Sequence, residues 1–118
     1  MFNQDALLKL ELCIDHLTAI SNYFGNINNA DDLFTLHDGV YYDAVLMRLQ
    51  ALSETLKKIN AKYPEITEAL QYTSMDDIIK FRDLVSHHYE KLEYEIIFNI
   101  CTVDLPQLKN SITAILNT

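Results

Sequence analysis

Apolar residues recur at steps of three and four along most of the chain. Leu7, Leu10, Ile14, Leu17, Ser21 and Phe24 draw one stripe down a first helix that ends near Gly25. Tyr42, Val45, Leu49, Leu52, Leu56 and Ile59 repeat the pattern over a second helix of about six turns. Two such helices can pack antiparallel. Between them "GNINNADDLFTLHDG", rich in Asn and Asp, reads as a loop with one helical turn around Leu33 and Phe34. A further short helix is expected after "KYPEI". In "SMDD", Ser74 is placed as N-cap and Asp77 at the third helical position, a variant of the capping box, starting the helix that carries Arg82. The helical pattern resumes from Glu93 through Cys101. "DLPQ" then signals a new start, with Asp104 as cap, Pro106 in the first turn and Gln107 at the capping-box position. The last helix should bury Leu108, Ile112 and Ile115.

Two glycines and two prolines are all that punctuate these stretches, which favours helix, and no segment alternates as a strand would. Repeats, low-complexity runs and linkers are missing from the sequence. The predicted fold is all-α, an up-and-down bundle of four to five helices forming a single domain over residues 1–118.

Composition narrows the function classes. Hydrophobic residues at 49% and charged residues at 22% place the chain in the globular range. Seventeen acidic against nine basic side chains give a formal charge of -8, so the overall field repels nucleic acid and any phosphate binding must be local. A basic protein partner would be steered in. Cys13 and Cys101 stand in apolar helical contexts without ligand spacing and read as buried reduced thiols. Asp5, Lys9, Glu11 and Asp15 interrupt the N-terminal apolar stretch, which excludes a secretory core, and no segment approaches a membrane span. The expected location is the cytoplasm.

The densest chemistry lies in "FRDLVSHHYEKLEYEIIF", where His87 and His88 make up half of the four histidines. On a continuous helix Arg82 and Tyr89 share a face, whereas His87, five residues from Arg82, is turned roughly 140° away. Either the helix loosens around Ser86 or a working site combines residues from two copies of the chain. These residue types suit metal-free phosphodiester cleavage. A guanidinium offers a permanent charge and a planar fork for phosphate oxygens. A histidine titrating near neutrality can take a proton from a ribose 2′-OH or give one to the leaving oxygen. One histidine is short of an acid and base pair, and a symmetric dimer would supply the second.

A structural explanation stands beside this one. Histidines near a helix C-terminus neutralise its carbonyls, Arg82 can pair with Glu90 or Asp83, and Tyr89 can be an amphipathic core residue. From spacing alone the structural explanation is the stronger. His16 and His37 lack partners at metal spacing and read as solvated or capping. Tyr23, Phe24, Tyr41 and Tyr42 read as packing rather than base-stacking residues, and Lys57, Lys58 and Lys62 as a solvated helix face.

"RDLVSHHY" resembles the R-x4-H-x-Y motif of the HepT-like branch of the HEPN families, with Arg82, His87 and Tyr89 in the motif positions and His88 as the variable residue. The similarity extends to the N-terminal helix, "HDGVYYDAVLMRLQALSETLKKI", the "YPEI" turn and "EIIFNICTVDLPQL", nearly the whole chain. Asp83 stands at the polar position after the motif arginine, where asparagine is more frequent. Glu93 stands where relatives often carry aspartate, and the usual tryptophan after the turn is missing. The resemblance implies a homodimeric helical bundle and a metal-independent endoribonuclease toxin with Arg82 and His87 as catalytic residues and Asp83 and His88 in support. It further implies a minimal nucleotidyltransferase of the MNT type as antitoxin partner, which transfers AMP to Tyr89. RNA is the implied substrate, and neither cofactor nor metal is implied. Two other classes remain open: a non-catalytic nucleotide- or substrate-binding subunit of a nucleotidyltransferase complex, and a plain structural bundle.

Overall fold

A computed structural model describes residues 2–70 and 94–118. Helix α1 spans Gln4–Tyr23, and the Asn3 side chain caps it by accepting the Asp5 amide at 2.7 Å. Its buried stripe is Ala6, Leu10, Cys13, Leu17 and Ile20. This is the predicted stripe rotated by about one position: Leu10 and Leu17 hold, Leu7 and Ile14 are half-buried and Ser21 is exposed. Small residues explain the rotation. Ala6 and Cys13 let neighbouring helices approach closely, whereas bulky Leu7 and Ile14 flank the seam.

Three consecutive left-handed residues precede the second long helix. Asn29 caps a short helix, α2 (Ala30–Thr35), by accepting the Asp32 amide at 2.9 Å, while the Asp32 carboxylate accepts the Asn28 amide at 3.1 Å. The helical turn expected around Leu33 and Phe34 is therefore present and extends to six residues, with Leu33 fully buried. His37, Asp38 and Gly39 then take φ of 51°, 56° and 81°, reversing the chain into α3 (Val40–Lys62). At Gly39 a Cβ would meet the Phe34 carbonyl oxygen at 3.3 Å.

All six predicted stripe residues of α3 are buried, together with Leu46 and Ser53, whose hydroxyl donates to the Leu49 carbonyl at 2.7 Å. Contacts fix α1 and α3 as antiparallel: Tyr63 meets Asp5 at one end, Arg48 meets His16 midway, and Tyr23 and Asp43 line one groove near the other end. Helix α4 (Pro64–Leu70) opens on proline, whose missing N–H is not needed in a first turn, and buries Ile66 and Leu70.

Helices α5 (Tyr94–Asn99) and α6 (Leu105–Leu116) are joined without a break by a π turn over Ile100–Asp104. The expected new start at Asp104 is therefore not observed: Asp104 stays helical at φ -76°, ψ -45° and its side chain makes no cap. The Leu105 amide reaches back to the Ile100 carbonyl, five residues away, and this wider turn accommodates Pro106, which has no N–H and crowds the preceding turn. Helix α6 buries Leu105, Leu108, Ile112 and Ile115 and packs on α1 and α4, while α5 packs on α2. The buried residues form one core, and the fold is the all-α bundle the periodicity predicted. Among the described residues, no helix is long and apolar enough to cross a membrane.

Candidate functional site

Arg82, Asp83, His87, His88 and Tyr89 lie outside the described residues, as do Ser74 and Asp77. The described frame defines what flanks them. On the N-terminal side of the motif the last described residue is Leu70, which shares a groove with Phe2 and Ile115 at the end of the bundle where α1 begins and α6 finishes. On the C-terminal side the first described residue is Tyr94, beside α2 at the opposite end.

Tyr94 is firmly seated. Its ring stacks on Phe34 with centroids 4.9 Å apart and planes 17° from parallel, and Phe34 in turn meets Tyr42 edge-on at 5.6 Å. The Asp31 carboxylate beside the Tyr94 hydroxyl raises its pKa above the ordinary tyrosine value. One turn farther on, Phe98 contacts Phe24 at 5.9 Å. Helix α5 is therefore fastened to α2 and to the end of α1 through aromatic contacts. The packing role expected for Phe24 and Tyr42 is the one observed.

Two further clusters of ionisable groups stand among the described residues. At the start of α1, Asp5 accepts from Lys9 at 2.8 Å and from Tyr63 at 2.6 Å, with Lys62 3.7 Å away. Midway along the α1–α3 seam Arg48 donates to His16 Nδ1 at 3.1 Å. Arginine has no acceptor, so this contact assigns the unprotonated nitrogen to Nδ1. Burial, followed by the Arg48 charge, lowers the His16 pKa below its usual value, against a smaller opposing effect of Asp15. His16 is thus neither freely solvated nor a cap. Nothing in local spacing could reveal the pair, because its members stand 32 residues apart and meet only through the antiparallel register.

His37 sits in the left-handed turn with its ring edge-on to Tyr41 at 5.4 Å. Cys13 and Cys101 are free and buried as expected; burial pushes the Cys13 thiol up to about 12 and the Cys101 thiol up as well, so neither is a nucleophile at neutral pH. No group of three His, Cys, Asp or Glu side chains among the described residues is arranged to hold a metal ion.

Comparison with known families decides what the frame belongs to. The family described as HepT-like, "Ribonuclease HepT-like", matches residues 10–115. The chain belongs to the HepT-like family. The match begins within α1, ends at the last buried residue of α6 and contains the whole "RDLVSHHY" segment. Membership of the HepT-like family brings a HEPN-type ribonuclease domain. No curated protein and no solved structure matches the chain.

Proposed function

We propose that this protein is a metal-independent endoribonuclease toxin of a HEPN/MNT toxin–antitoxin system, acting as a homodimer. The observation that carries the reading is the HepT-like match, which spans the R-x4-H-x-Y arrangement of Arg82, His87 and Tyr89. The Arg82 guanidinium clamps the scissile phosphate and offsets the charge that builds on its oxygens. His87 of one copy takes the proton from the ribose 2′-OH, and His87 of the other gives one to the departing 5′-oxygen. The 2′-oxygen attacks phosphorus as the P–O5′ bond breaks, leaving a 2′,3′-cyclic phosphate and a 5′-hydroxyl. The net charge of -8 suits an enzyme that grips RNA locally and a partner that is itself a protein.

RNA cleavage in EDTA tests the proposal. Wild-type protein is expected to cleave, and Arg82→Ala and His87→Ala should each lose on the order of 100-fold or more in rate while keeping their helical circular dichroism. His88→Ala should stay near wild type. An active His87→Ala with a dead His88→Ala would overturn the motif register. A wild type that binds nucleotide through Arg82 but cleaves nothing would favour the non-catalytic binding subunit.

A further inference from the structure

A cavity of about 270 Å³ opens between the second half of α1 and the junction of the π turn with α6. Leu17, Ile20 and Leu105 line it although each is at most 3% exposed, so the opening reaches the hydrophobic core and is more than a surface dent. Its polar groups are few: the hydroxyls of Ser21 and Thr102 and the ammonium of Lys109. The Thr102 hydroxyl already donates to the Phe98 carbonyl at 2.8 Å, leaving Ser21 and Lys109 as side-chain donors of the lining.

Charge and backbone point the same way. In a chain of net charge -8, no carboxylate among the described residues lines this cavity, and Lys109 makes no ion pair among them. The cavity also adjoins the π turn, where the helix carries a wider turn between α5 and α6. Such turns are frequent at functional sites. Mostly apolar walls with a small convergent set of polar groups are the usual make-up of a small-molecule site.

We infer that this cavity binds a small amphipathic anion, with an apolar chain or ring between α1 and α6 and a carboxylate at Lys109 and Ser21. The site is independent of the RNA-cleavage reading. Apolar walls select the body of the ligand without regard to its identity, and the ammonium selects the sign of its head. An exposed ion pair contributes modestly, so the discrimination it gives should be small but measurable.

Hexanoate and 1-hexanol, matched in length and differing in charge, are the probes, titrated into the full-length protein and followed by NMR. Expected are saturable shifts at millimolar concentration, with nuclear Overhauser contacts from the alkyl protons to the methyls of Leu17, Ile20 and Leu105. Hexanoate should bind the more tightly. Lys109→Glu should weaken hexanoate about fivefold, the upper end for an exposed ion pair, and leave hexanol unchanged. Ser21→Phe, which fills the opening from an exposed position, should abolish binding of both, while Met47→Ala on the α1–α3 groove should alter neither. The inference is overturned if neither probe shows saturable binding to the wild type, if the contacts map elsewhere, or if both Lys109→Glu and Ser21→Phe bind hexanoate as the wild type does.

Discussion

The Tyr63 hydroxyl donates to Asp5 Oδ2 across 2.6 Å, joining residues 58 apart in sequence and locking the first turn of α1 to the end of α3. The carboxylate also takes two contacts from Lys9 at 2.8 Å, and Lys9 followed by Tyr63 holds its pKa at about 2, against the opposing effect of burial. A carboxylate depressed in the folded state stabilises the fold above its unfolded pKa, about 3.9, and loses that contribution as pH falls. Urea denaturation should therefore show the wild type losing stability between about pH 4 and pH 2 more steeply than Asp5→Asn. Equal slopes would mean that the contact is not maintained in solution.

The His16 imidazole should titrate below its ordinary value of 6.5, because burial and Arg48 both oppose its protonation. With the folded pKa depressed, the unfolded chain binds more protons near neutrality, so stability is full above about pH 6.5 and declines as pH falls through it. Arg48→Gln should raise the midpoint only part of the way, since burial is the larger cause. NMR titration of the His16 ring protons measures both values.

Gly39→Ala should destabilise the protein by about 1–2 kcal/mol, the cost of holding an L-residue in the left-handed region. Its new methyl would also press on the Phe34 carbonyl oxygen at 3.3 Å. A thermal midpoint lower by several degrees is expected. An unchanged midpoint would show that the turn relaxes without disturbing α2.

Tyr89 is the residue on which the proposed antitoxin should act. Incubation with the cognate nucleotidyltransferase, ATP and Mg²⁺ should raise the mass by one or more AMP units at Tyr89 and silence RNA cleavage. The added phosphate would compete for the Arg82 guanidinium needed by RNA. Tyr89→Phe should escape the modification. An adduct that leaves cleavage intact would point to occlusion of the cleft as the route of control.

Long periodic stretches were the most legible part of the chain. The stripe from Tyr42 to Ile59 was fully recoverable because α3 is long and presents a single face. In α1 the same reasoning landed one position away, since weighting by apolar size overlooks that Ala6 and Cys13 occupy the tight seam. Helix α2 was legible only as one turn around Leu33 and Phe34, because six residues with one buried leucine carry almost no period. "DLPQ" read as a helix start because proline after a capping residue has that meaning in an α-helix, and only the backbone reveals the wider turn that absorbs it. For the candidate site, the residue types suited phosphodiester chemistry but spacing alone favoured a structural explanation, and the choice of His87 over His88 rests on the resemblance to the HepT-like motif.

The π turn has a consequence for phase. On an unbroken α-helix, Ile97 and Leu105 would be about 80° out of alignment, eight residues being more than two revolutions. More residues per revolution through Ile100–Asp104 take back most of that angle, so Ile97, Cys101 and Leu105 all turn inward. The helical run from Tyr94 to Leu116 thus works as two differently timed segments on one shaft, one keyed to α2 and the other to α1. Rewinding the turn to ordinary helix with all of its residues kept would rotate one segment against the other by about 80°. The aromatic anchor at Phe34 and the buried seam of α6 could not then be satisfied together, which makes the wider turn a condition of the bundle's closure.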